Sequence, residues 1–136
     1  MAITIKTLGA GILRPVPSGA LANANVPREL VLYAAPRPGE FGAVATRAAL
    51  VTAMRFYNLN PTAQVQMHLR YVPYDVEKPF SFRKRRHILP VDMKLEPRQL
   101  MVDTTPLVLE PGDGLLGYAF TPNWINYVIS GIERDV

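Results

Sequence analysis

Ala63-Gln64-Val65-Gln66-Met67-His68-Leu69-Arg70-Tyr71 alternates apolar and polar residues over nine positions without a break. Successive side chains of an extended strand point to opposite faces, so Ala63, Val65, Met67, Leu69 and Tyr71 share one face and Gln64, Gln66, His68 and Arg70 the other. On a helix the same spacing would scatter the apolar groups around the whole cylinder. The stretch predicts a strand with one wet face, and a sheet around it.

Before it, Asn58-Leu59-Asn60-Pro61-Thr62 has the residues that build turns, and Leu50 to Tyr57 (LVTAMRFY) is rich in β-branched and aromatic side chains. Together they predict an antiparallel hairpin with the alternating strand. Val44 to Met54 also carries alanine and leucine at helical spacing, which leaves its first half open between helix and strand. Glu29 to Tyr33 (ELVLY) reads as a strand closed by Ala34 to Gly39, where two prolines and a glycine end any regular element.

On the other side, Tyr74 to Arg86, with Pro79, Phe80 and Phe82, reads as a loop between strands. Four short apolar segments follow: Ile88 to Leu95, Gln99 to Asp103, Leu107 to Leu109 and Leu115 to Phe120. Glu96-Pro97, Thr105-Pro106 and Glu110-Pro111-Gly112-Asp113-Gly114 break the chain between them, and Thr121-Pro122-Asn123 turns it again before a last strand at Trp124 to Arg134. Short strands at such intervals imply an all-β antiparallel sandwich or jelly-roll-like domain. Thirteen prolines and nine glycines in 136 residues agree, since a helical bundle tolerates few of either.

That domain occupies residues 29–136. Met1 to Arg28 differs: a short β-like piece at Ala2 to Leu8 is followed by dispersed glycine and proline with no sustained period. It is expected to be an extended arm laid along a neighbouring surface, because Ile3, Ile5, Leu8, Ile12 and Leu13 are too apolar for an idle tail. These five are the candidate partner-binding residues of the arm.

The chain has no cysteine, which excludes disulfides, thiol nucleophiles and thiolate metal sites. Its formal net charge is +4, with most cations scattered singly. The exception is Arg83-Lys84-Arg85-Arg86, followed by His87: either a solvated loop tip or a second partner-binding patch that sits against phosphates or against an acidic protein surface. No apolar run is long enough to span a bilayer, and Met1 to Lys6 lacks a secretory start, so synthesis in a cytoplasm is expected.

Reacting groups are few. His68 on the wet face and His87 beside the basic cluster lack companions at metal-ligand spacing and read as surface or structural histidines. Gly112 to Gly117 has glycines, but after a proline turn rather than between a strand and a helix, so a phosphate cradle is not expected there. Asp103, Glu110 and Asp113 offer oxygen ligands without the spacing of a calcium loop, and Asp113 between two glycines reads as a turn former. Trp124, Tyr118, Tyr127, Tyr71, Tyr74, Phe80 and Phe82 are available to a glycan, although in a sandwich most such rings serve the core or subunit contacts. No cofactor or metal is expected.

From Leu30 onward the chain resembles a family of small β-sandwich virion proteins of tailed bacteriophages. The likeness rests on Leu32-Tyr33-Ala34-Ala35-Pro36, on Val51-Thr52-Ala53-Met54-Arg55-Phe56-Tyr57-Asn58, on Leu107-Val108-Leu109-Glu110-Pro111-Gly112-Asp113 and on Tyr127-Val128-Ile129-Ser130-Gly131-Ile132-Glu133, in that order. The loop at Pro79 to His87 is longer and more charged than that pattern. The resemblance implies a non-enzymatic structural protein, similar to head-decoration (cement) proteins, that stabilises a shell as a homo-oligomer, with a trimer as the working symmetry. Its partners would be its own copies and the major capsid protein or other virion proteins, with no membrane and no nucleic acid. The alternative is a tail, fibre or baseplate accessory whose aromatics meet a receptor glycan.

Overall fold

The computed structural model describes residues 3–15, 30–39, 43–74, 86–89 and 93–136. Among these the regular elements are all strands: β1 (Ile3–Ile12), β2 (Val31–Ala34), β3 (Arg47–Asn58), β4 (Val65–Val72), β5 (Arg86–His87), β6 (Lys94–Leu95), β7 (Leu100–Asp103), β8 (Leu107–Leu109), β9 (Gly114–Ala119) and β10 (Ile125–Asp135). They form two antiparallel sheets packed face to face, the all-β sandwich that the alternating pattern predicts.

The first sheet runs β1-β10-β3, with β7 and β8 end to end along the far edge of β3. The second runs β2-β9-β4, with β5 and β6 sharing the far edge of β4 in the same way. Val51, Met54 and Phe56 of β3 and Ile125 and Ile129 of β10 meet Val65, Met67 and Leu69 of β4 and Leu115 and Ala119 of β9 in one fully buried core. The alanine-rich start of β3 is strand rather than helix, because Ala48 and Ala49 are bracketed by Arg134 and Glu133 on one side and Leu109 on the other. Pairing on both edges overrides a weak local preference. A bulge lies where Val51 pairs Gly131 and Ala53 pairs Ser130. The extra residue, Thr52, lets Val51 and Met54 both face the core, and its hydroxyl donates to the Ser130 carbonyl at 3.2 Å.

The predicted hairpin does not form. β3 and β4 are consecutive but belong to different sheets, and the Asn58–Thr62 turn is the corner between them. Asn58 fixes that corner: fully buried, its Nδ2 donates to the carbonyls of Ala63, Leu95 and Glu96 at 3.0–3.1 Å, while its Oδ1 accepts from Asn60 N at 2.9 Å. Asn60 Oδ1 then accepts from the backbone of Thr62 and Ala63. The residues chosen as turn formers do turn the chain. They carry it upward between layers, since both edges of β3 are already taken.

The wet face of β4 is also corrected. Gln66 is only half-buried, but His68 and Arg70 are buried, because the outer side of the second sheet carries a small apolar cluster of Leu30, Val72, Leu116 and Tyr118.

The segment expected to be an arm is extended over its described part, but it lies along its own chain. Ile3–Ile12 pairs with Arg134 back to Asn126 of β10 as the edge of the first sheet, and Leu13 ends it in the core. The physical reason is that the backbone of β1 completes the ladder along β10 while Leu8 and Leu13 find cover within the sandwich. Where β1 passes β2, a side chain at Gly9 would put its Cβ 2.6 Å from the Leu32 carbonyl oxygen, so only glycine fits. The rest of the expected arm, 16–29, lies outside the described residues.

Candidate interaction surface

Three groupings of polar and apolar side chains stand out on this frame. The first is a clamp at one end of the sandwich. Glu133 of β10 is buried, yet it is tied to three other strands: it accepts from the Tyr33 hydroxyl of β2 at 2.6 Å, pairs with Lys6 Nζ of β1 at 2.8 Å and with an Arg47 guanidinium nitrogen of β3 at 3.4 Å. Arg47 also reaches Asp135 at 3.0 Å. Burial pushes the Glu133 carboxyl up, but the hydrogen bonds from Lys6 and Tyr33, the Lys6 charge and the Arg47 bond outweigh it and hold it below its usual range. The same contact, with burial as the larger cause, pushes the Tyr33 phenol well above its ordinary value. A carboxylate held this firmly ionised by fixed donors is a structural tie.

The second grouping centres on Asp113, in the turn whose positive φ falls on Gly112. Its Oδ2 accepts from the Tyr71 hydroxyl at 2.7 Å and from Glu110 N at 3.0 Å, and its Oδ1 accepts from Tyr74 N at 2.7 Å. Arg37 stacks over the Tyr74 ring at 4.0 Å. Asp113 is thus the turn former the sequence suggested, with both oxygens engaged, and Asp103 accepts from Thr105 N in a local turn. Among the described residues no group of three or more potential ligands gathers for a metal ion.

The third grouping is the outer face of the first sheet. Register aligns Ile5, Ile132, Leu50 and Val108 directly across four strands. Ile5 is 82% exposed and Val108 59%, while Ile132 and Leu50 between them are half-buried. Two further rows run parallel to it: Ala10, Val128, Arg55 and Val102, and Ile12, Asn126, Tyr57 and Leu100. Ile12, Leu100, Val102 and Val128 are exposed large aliphatics. Between the first row and the other two lies a polar one, Thr7, Ser130 and the bulged Thr52–Ala53, so the aliphatics form separate patches on one sheet face, and exposed apolar patches are candidate interaction sites.

The residues assigned to a partner from sequence divide accordingly. Ile5 and Ile12 point outward on this face, whereas Leu8 packs against the core and Leu13 is within it, so those two serve the fold. Ile3 pairs with Arg134 at the start of β1. Arg83, Lys84 and Arg85 lie outside the described residues, and Arg86 is placed only as the backbone partner of Tyr71. The basic patch is therefore not brought to the apolar face by any described contact. Sequence reasoning missed Leu50, Val102, Val108, Val128 and Ile132. The signal was there in β10, where Ile125 and Ile129 alternate with Val128 and Ile132 on opposite faces, a strand apolar on both sides.

The aromatics are mostly engaged in the fold. Tyr118 is buried, Trp124 and Tyr127 pack against the core, and Tyr71 is held by Asp113. Phe80 and Phe82 lie outside the described residues. On the outer side of the second sheet, His68 lies near-parallel to Tyr118 and to exposed Phe120 at ring separations of 4.9 and 5.1 Å. Arg70 donates to the Tyr118 hydroxyl at 3.2 Å. His68 is a buried structural histidine rather than a surface one.

The fold and the groupings define a two-sheet antiparallel sandwich with a tied end and one aliphatic outer face. Comparison with models of known families, with curated proteins and with solved structures finds no match.

Proposed function

We propose that this chain is a structural, non-enzymatic virion protein of a tailed phage that decorates the capsid and stabilises the shell. One observation carries the reading: the exposed aliphatic side chains on the outer face of the first sheet, chief among them the row Ile5, Ile132, Leu50 and Val108, which a module that works by adhesion needs and a solitary enzyme does not. The sequence resemblance to small phage sandwich proteins points the same way. So does the use of charge: Glu133 and Asp113 are both bound up in ties of the fold. A small sandwich without disulfides gains further stability when arrayed in many copies on a scaffold, by mass action.

The test is a stained gel of purified particles. A decorating protein is present at hundreds of copies, in proportion to the shell subunit; absence from the particle would end the reading. The second reading, a tail, fibre or baseplate accessory that meets a glycan, rests on the exposed Phe120 ring stacked on His68. A count of a few or a dozen copies would select it.

A further inference from the structure

The outward positions of the first sheet carry charges of one sign. Among the described residues they are Arg134, one row from the Ile5–Val108 line, and Arg55, within the Ala10–Val102 line; both are exposed. The acids of β10 are engaged elsewhere, Glu133 in the clamp and Asp135 with Arg47. The ion pairs among the described residues fall on Lys6 and Arg47, so neither Arg55 nor Arg134 is neutralised by one. Arg134 also borders a shallow groove of about 260 Å³ with Ala48, Leu50, Val108 and Ile132.

We propose that this face docks on a protein surface that presents an aliphatic strip flanked by carboxylates, and that on the particle this surface belongs to the shell. The assignment rests on the virion reading above and adds the chemistry of the partner. Charge complementarity chooses the occupant. Face-to-face packing of a second copy brings two arginine-bearing faces together with no carboxylate at the outward strand positions of either among the described residues, a juxtaposition that like-charge repulsion penalises. Carboxylates opposite Arg55 and Arg134 instead form bidentate pairs on either side of the Ile5–Val108 row, which desolvates between them. Four strands at their usual spacing make the strip roughly 15 Å wide, enough for a helix or a strand pair.

The test adds purified protein to particles assembled without it and measures bound copies at low and high salt. Wild type is compared with the double variant Arg55→Glu/Arg134→Glu, with Arg55→Lys/Arg134→Lys and with Leu50→Asp. The charge reversal is expected to weaken binding about tenfold or more, the lysine pair by no more than about threefold, and the wild-type affinity to fall as salt rises. Leu50→Asp should reduce binding as strongly as the reversal. Unchanged urea midpoints show that the arginine variants, altered only at exposed positions, remain folded. If the reversal binds like wild type, the proposal is overturned while the virion reading stands. If wild type does not bind the particles at all, the virion reading fails and takes the proposal with it. If sedimentation of the protein alone shows an oligomer that Leu50→Asp dissolves and the reversal leaves intact, the face belongs to a second copy and the acidic partner is wrong.

Discussion

Tyr33 and Glu133, one hundred positions apart in the chain, share a 2.6 Å hydrogen bond that joins the two sheets at one end of the sandwich. Lys6 and Arg47 approach the same carboxylate, so strands β1, β2, β3 and β10 are tied at a single group. Tyr33→Phe removes one donor to a buried charge, for which a loss of about 1.5–3 kcal/mol in unfolding free energy is expected. Urea denaturation at neutral pH measures it, and a change within error would show that Lys6 and Arg47 suffice.

The clamp has a sign in pH. The folded Glu133 carboxyl lies below its ordinary value of 4.5, so its contribution is complete above that value and is lost as pH falls through the lowered one. Glu133→Gln should lower stability at neutral pH and flatten the acid limb of a stability–pH curve. A variant that keeps the wild-type acid limb contradicts the assignment.

At the alkaline end the sign reverses. Burial, with the hydrogen bonds to Glu133 and Asp113, raises the phenols of Tyr33 and Tyr71 above their ordinary 10.0. Above that pH the unfolded chain ionises these groups and the folded one does not, so stability declines. Phenolate absorbance from Tyr33 and Tyr71 should then appear with unfolding rather than before it, and Tyr33→Phe/Tyr71→Phe should remove that share of the signal.

Removing residues 1–15 takes away edge strand β1 and fully buried Leu13, so the truncated chain is expected to unfold at lower denaturant than the intact one. Leu13→Ala alone should cost about 2–5 kcal/mol. Circular dichroism against urea checks both. A truncated protein as stable as the whole would mean that β1 adds nothing to the sandwich.

Gly9→Ala places a methyl 2.6 Å from the Leu32 carbonyl oxygen, a backbone atom with no rotamer to move aside. A loss of about 1–3 kcal/mol is expected, as for other forced overpacking. An unchanged denaturation midpoint would show that β1 and β2 separate freely.

The fold class was legible because it rests on a local property. Alternation from Val65 to Tyr71 and the turn at Glu110–Gly114 report the strand and its end without knowledge of a partner. What those strands pair with was not legible, since β1 meets β10 and β3 meets β4 only through a corner, and those choices are made by residues distant in sequence. Asn58 illustrates it: the turn is written locally, but the carbonyls of Leu95 and Glu96 that decide its direction are not. The candidate surface follows the same division. Ile5 and Ile12 could be named from their own neighbourhood, while the row through Ile132, Leu50 and Val108 exists only once three more strands are in register.

The far edges of both sheets are each divided between two short strands, β7 and β8 along β3, β5 and β6 along β4. Any newcomer seeking to extend the ladder there meets an interrupted template, where Thr104 to Pro106 steps out of line and offers a proline. Edge-to-edge addition along that flank is thereby disfavoured, a safeguard against fibre growth written into the order of the strands.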